Sequence, residues 1–209
     1  MFESVIADNI HSLLPDLEKP AKSFYLAGGT ALALQLGHRK AIDLDFFSMD
    51  KFDSEDLINL IKPKKIVESR KNTLHCHHQG VRLSFLYYPI PLISPLIYWH
   101  HLAVAHAKDI LAKKFKTVSQ RGAKKDFCDL YALFFERYTI KEGCSFFLQR
   151  FNNTGINNYS VLKSLTYFND ADHEPDPIWI TDDYSTEWEN IKQFFVSNIK
   201  LFKKYLLDE

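Results

Sequence analysis

The order of hydrophobic patterns predicts an α+β chain, with a short mixed β-sheet flanked by helices and then a helical C-terminal region. Three observations lead there. Strand-like segments with turn residues between them occupy 24–27, 41–47, 64–70 and 81–87. Helical spacing of apolar residues dominates from 98 onward. Between the two lies YPIPLISPL, whose three prolines read as a connector. The expected division is therefore an α/β domain over 1–95 and a helical domain over 96–209.

In chain order, Phe2, Val5, Ile6, Ile10, Leu13 and Leu14 fall at helical spacing, and Pro15 and Pro20 interrupt. Phe24 to Ala27 reads as a short strand running into Gly28-Gly29. Thr30 can cap a helix over 31–36, and Gly37 can end it. AIDLDFF, 41–47, alternates as a strand. Asp53 or Ser54 caps a helix near 54–62 that Pro63 stops. Strands over 64–70 and 81–87 follow, with HCHHQG near the turn between them. Helices are expected over 98–118, 124–136, 141–151, 158–168 and 184–206, and FNDADHEPDPIWITDD is expected to be an acidic loop.

Composition narrows the function classes. The 26 basic and 26 acidic residues balance, so binding of nucleic acid would need a local patch rather than whole-chain attraction. Lys108, Lys113, Lys114, Lys116, Arg121, Lys124 and Lys125 form the most basic region. The three cysteines are odd in number and widely spaced, which suggests reduced thiols and a cytoplasmic location. The acid-bearing N-terminus does not read as a signal peptide, and no run of about 20 apolar residues offers a membrane span.

The chemistry concentrates in YLAGGTALALQLGHRKAIDLDFF, 25–47. Gly28 and Gly29 stand where a strand hands over to a helix; they permit close backbone approach, and the following N–H groups favour phosphate. Asp43 and Asp45 are two apart on a strand, so their carboxylates share one face, roughly 7 Å apart at the backbone. Two neighbouring carboxylates on an apolar strand are costly unless a cation lies between them, and hard oxygen donors select magnesium. A magnesium pair can activate a hydroxyl and stabilise a leaving pyrophosphate.

These motifs resemble the AbiEii-like nucleotidyltransferases of the DNA polymerase β-type superfamily. The matching stretches are GGTALALQLGHRKAIDLDFFS, then DILAKKFKTVSQRGAKKDFCDLYALF over 109–134 and, more loosely, SLTYFNDADHEPDP over 164–177. The resemblance implies that Gly28, Gly29 and Thr30 hold a nucleoside triphosphate and that Asp43 and Asp45 bind Mg2+ (or Mn2+). It implies that Lys114 meets triphosphate charge, that Asp126 completes or orients the site, and that Arg121 and Lys125 belong to the same motif. Arg39 and Lys40, just before the acidic strand, can also reach phosphate. One departure stands out. The superfamily's third carboxylate usually comes from a later strand, and in VRLSFLYY the available position is Ser84 or Arg82, leaving Asp126 or Asp129 as substitutes.

The implied activity is Mg-dependent transfer of a nucleoside monophosphate from NTP to a hydroxyl, with RNA (the tRNA 3′ end) as acceptor. The implied setting is a toxin–antitoxin or abortive-infection system, with a cognate antitoxin protein as partner and no membrane. The alternatives are a non-catalytic nucleotide- or RNA-binding module, or transfer to a protein or small-molecule hydroxyl. His75-Cys76-His77-His78 sits in an expected turn, where contiguous ligands point apart, so a zinc site there is disfavoured. His100 and His101 are expected on a helix, partly buried. The acids of 170–176 lack the spacing of an EF-hand and read as a solvated loop.

Overall fold

The computed structural model describes residues 1–182 and 186–207, in two compact units, Met1–His106 and Ala107–Glu209. The first is built on a seven-stranded mixed sheet in the order β3-β4-β5-β2-β1-β7-β6. Its strands are β1 (Tyr25–Ala27), β2 (Asp43–Ser48), β3 (Lys65–Arg70), β4 (Thr73–His78), β5 (Val81–Tyr87), β6 (Ile97–Trp99) and β7 (Leu102–Val104). Its helices are α1 (Asp8–Leu17), α2 (Gly28–Leu36) and α3 (Ser54–Ile61). β2 runs parallel to β5 and β1 parallel to β7, and the other pairs are antiparallel.

Alternation along the central strands explains why one face of this sheet is core. Leu44 and Phe46 of β2, Leu83 and Phe85 of β5, and Leu74 and Cys76 of β4 are fully buried. The Phe46 and Phe85 rings stack at 4.9 Å, and Phe24 meets Phe85 edge-on at 5.1 Å. Each such side chain contributes about 1.5–3 kcal/mol through burial. α2 packs against β1 and β2, and Gly37, at φ +79°, ends it in the left-handed conformation.

The second unit is helical: α4 (Ala107–Arg121), α5 (Lys124–Glu136), α6 (Ile140–Phe151), α7 (Asn158–Ser164), α8 (Asn169–Asp172), α9 (Trp188–Ser197) and α10 (Ile199–Leu206). Phe115, Phe127, Phe147, Phe195 and Phe202 are buried in it. A capping box between Thr139 and Glu142 starts α6.

Several expectations are corrected. Residues 97–104 are not helix; they form the β6–β7 hairpin of the first unit, and His100 and His101 are its exposed two-residue turn. HCHH is strand, not turn, because β4 pairs on both sides. Pro15 does not interrupt, since α1 continues through it to Leu17. Thr30 is not an N-cap; α2 starts two residues earlier, at Gly28. Ile42, just before β2, is 67% exposed, although the alternation of 41–47 would set it on the face of Leu44 and Phe46. The helix expected over 184–206 is two helices that meet at Asn198, and its expected start at 184, with the loop's end at 183, lies outside the described residues.

Candidate nucleotidyl-transfer site

Strand register assembles the acidic face. Ala27 of β1 pairs with Asp45 of β2, Asp45 with Ser84 of β5, and Ser84 with His75 of β4. One step along, Asp43 pairs with Arg82, and Arg82 with His77. Directly paired residues share a face, so Asp43, Asp45, Arg82, Ser84, His75 and His77 stand on the side opposite the apolar core.

Asp43 and Asp45 are half-buried, and among the described residues neither carboxylate accepts a hydrogen bond or pairs with a cation. Asp45 lies directly against Gly28: a Cβ built there would come within 2.8 Å of Asp45 Oδ2. Gly28 has φ +70°, a conformation glycine adopts without steric penalty. Gly29 follows within the first turn of α2, where N–H groups lack intrahelical acceptors. The Thr30 hydroxyl donates to the backbone carbonyl of Asp43, tying α2 to the acidic strand. Ser84 is buried, and its hydroxyl sits 3.0 Å from His75 Nδ1.

The basic pair before β2 is engaged locally. Arg39 is buried and donates to the Lys40 carbonyl at 3.1 Å, while Lys40 Nζ donates to the Ser4 carbonyl at 2.7 Å.

Within the second unit, Lys114, Arg121, Asp126 and Asp129 form one cluster. Lys114 Nζ lies 2.7 Å from Asp126 Oδ1 and 2.5 Å from Asp129 Oδ2. Arg121 donates to Asp126 through Nε at 2.7 Å and Nη2 at 3.0 Å. α4 is continuous from Lys114 to Arg121, so both cations project toward α5. Burial alone would raise the Asp126 carboxyl, but the Lys114 ammonium and Arg121 guanidinium outweigh it and hold it below its ordinary range. Lys125 is exposed. Lys124 is buried, pairs with Asp176 at 3.1 Å and lies over the Trp188 ring. The basic region is thus partly neutralised by its own unit.

The acidic segment after α7 is more than a solvated loop. Glu174 accepts from the Lys124 backbone N–H at 2.9 Å, and Asp172 accepts from Trp188 Nε1 at 2.7 Å. His75 and His77 were the acidic-face neighbours that sequence reasoning set aside. The readable signal was the alternation in TLHCHH, with Leu74 and Cys76 in the core.

The donor set on the acidic face fits a hard divalent cation: two carboxylates, side by side and half-exposed, neither of them ion-paired among the described residues.

Comparison with known proteins identifies the family and the fold. A family model described as nucleotidyl transferase AbiEii toxin, type IV TA system, matches residues 12–85, which include both glycines and both aspartates. The uncharacterized protein aq_aa25 of Aquifex aeolicus (strain VF5) is 34% identical over 185 residues, covering 85% of this chain and 86% of that protein. Among solved structures, MenT4, the nucleotidyltransferase toxin Rv2826c of Mycobacterium tuberculosis H37Rv, shares the fold with a TM-score of 0.55 at 15% identity, covering 96% of this chain and 89% of its own. JHP933 from Helicobacter pylori aligns with a TM-score of 0.51 at 15% identity, covering 97% and 95%. Among the described residues, no helix is long and apolar enough to cross a membrane. The chain belongs to the AbiEii nucleotidyl transferase toxin family.

Proposed function

We propose that this nucleotidyltransferase moves a nucleoside monophosphate from NTP to a hydroxyl of RNA, with the tRNA 3′ end as acceptor. On this reading it works in the cytoplasm as the toxin of a toxin–antitoxin pair, with a cognate antitoxin protein as partner. The observation that carries the chemistry is the contact between Asp45 and Gly28, which sets an acidic face beside the first turn of α2. The acceptor oxygen attacks the α-phosphorus, the bond from that phosphorus to the bridging oxygen breaks, pyrophosphate leaves, and the hydroxyl proton passes to water.

Asp43 and Asp45 would hold Mg2+ (or Mn2+), which supplies charge neutralisation at the reacting phosphate when bound. The Gly28 and Gly29 backbone allows close approach of the triphosphate, and the first N–H groups of α2 face its charge. Thr30 acts by positioning, since its hydroxyl fastens α2 to β2. Lys114 and Asp126 hold each other within their unit, so contact of Lys114 with triphosphate exchanges one of its two carboxylates for phosphate. Arg39, Lys40, Arg121 and Lys125 supply further phosphate contacts on this reading.

A second reading, nucleotide or RNA binding without transfer, draws on Ser84, an uncharged residue beside Asp45 on the neighbouring strand. Labelled NTPs, Mg2+ and total tRNA decide between them. Label on tRNA that vanishes in Asp45→Ala establishes transfer, whereas binding without label establishes the module. The same assay with lysate reveals transfer to a protein or small-molecule hydroxyl.

A further inference from the structure

Apart from the acidic face, the first unit gathers a second group of ligating side chains, from three separate segments. Glu3 sits in the 3₁₀ turn Glu3–Val5, His11 on α1, and His100 in the turn between β6 and β7. One ligand atom of each lies within 4.8 Å of the other two. Glu3 Oε1 is the hub: it is 3.1 Å from His100 Nε2 and accepts from Trp99 Nε1 at 3.1 Å. The His11 ring meets Trp99 edge-on at 6.0 Å, and Trp99, buried, in turn meets His100 at 5.3 Å. The indole thus braces both imidazoles and the carboxylate.

His100 also holds a conformation its side chain disfavours. Its φ is +51°, in a two-residue hairpin turn where glycine or asparagine is usual. Backbone strain of this kind persists where surrounding contacts over-determine it, and it concentrates at ligand clamps.

Two imidazoles and a carboxylate suit a borderline cation and leave a coordination position for water, as in three-ligand zinc sites. Tetrahedral zinc bonds of about 2.0–2.2 Å place ligand atoms roughly 3.3–3.6 Å apart; Glu3 and His100 are already that near at 3.1 Å, and the widest pair, within 4.8 Å, closes by about an ångström through side-chain rotation. We propose that Glu3, His11 and His100 form a zinc-class divalent metal site. It fastens the N-terminal segment and α1 to the β6–β7 turn. The same segment is already tied toward the acidic strand: Ala41 N–H donates to the Val5 carbonyl at 3.0 Å, two residues before Asp43. This site is independent of the nucleotidyl-transfer reading.

The test uses the full chain carrying Asp43→Asn and Asp45→Asn, which removes the acidic-face carboxylates, freed of metal with a chelator and titrated with Zn2+ by calorimetry and with Co2+ by visible absorption. The expected result is one equivalent of either ion per chain, cobalt d–d bands of a nitrogen- and oxygen-ligated site, and a Tm that rises with Zn2+. Glu3→Gln, at an exposed position, should abolish this binding. His100→Asn should abolish it too, because asparagine tolerates positive φ and keeps the turn while removing the imidazole. His77→Ala, on the acidic face, should bind as the parent does. No stoichiometric binding, binding that survives both Glu3→Gln and His100→Asn, or binding lost only in His77→Ala overturns the proposal.

Discussion

Asp45 and Gly28 occupy adjoining space so closely that a Cβ on residue 28 would come within 2.8 Å of the Asp45 carboxylate. The glycine at 28 therefore does two things: it supplies φ +70°, and it leaves room for the acid. Gly28→Ala should cost about 1–2 kcal/mol of stability through its left-handed backbone. It should lower transfer far more than that modest cost explains, because the displaced carboxylate leaves its place. Thermal unfolding and single-turnover labelling of tRNA measure the two effects separately.

Asp43 and Asp45 carry their charge without a protein partner among the described residues. Asp43→Asn and Asp45→Asn should each abolish nucleotide transfer while leaving Tm unchanged or slightly raised, since two like charges on one face repel. A large fall in Tm for either variant would mark the pair as structural instead.

Ser84 pairs with Asp45 on the neighbouring strand and offers a hydroxyl, not an acid, on the same face. Ser84→Ala should reduce transfer only modestly, and His75→Ala similarly, because their hydrogen bond positions the strand face. Abolished activity in Ser84→Ala at unchanged Tm would make the hydroxyl a working ligand.

Removing Lys114 leaves Asp129 buried without that cation and Asp126 with Arg121 alone. Breaking such a buried pair from one side costs about 3–5 kcal/mol. Lys114→Ala should therefore unfold the second unit at markedly lower denaturant, which urea titration followed by circular dichroism will show. Arg121→Ala, whose side chain is 55% exposed, should cost much less.

Acid should loosen the same cluster. The Asp126 carboxyl is held below its ordinary value of 3.8. A depressed carboxyl contributes stability that is complete above its unfolded pKa and is lost as pH falls through the folded one. Stability of the second unit should hold at neutral pH and decline as pH drops below that ordinary value. Tm measured across falling pH should show this limb, and Asp126→Asn should flatten it.

The acidic face of the first unit was legible in its central residues. Gly28-Gly29 and Asp43-x-Asp45 were legible because each depends on local rules: glycine at a strand–helix junction and period-two alternation on a strand. Lys114, Arg121, Asp126 and Asp129 were picked out by resemblance, but their closure into a buried ion cluster depends on how α4 packs on α5. What escaped was non-local. β4 is recognisable only once β3 and β5 flank it, because His75 and His77 look like turn residues until Leu74 and Cys76 are seen in the core. β6 and β7 are three residues each, too short for periodicity to separate strand from helix. The meeting of Glu3, His11 and His100 joins positions no local pattern connects.

The placement of β7 beside β1 bears on how this chain can be cut. A fragment that stopped at the proline-rich connector would lose the strand that covers one side of β1. It would also lose the Ala105 carbonyl that takes the buried Gln35 amide, and the Trp99 indole that reaches Glu3. The bared edge of β1 would invite strand-to-strand aggregation. Expression work on the sheet unit alone should therefore carry the chain through His106.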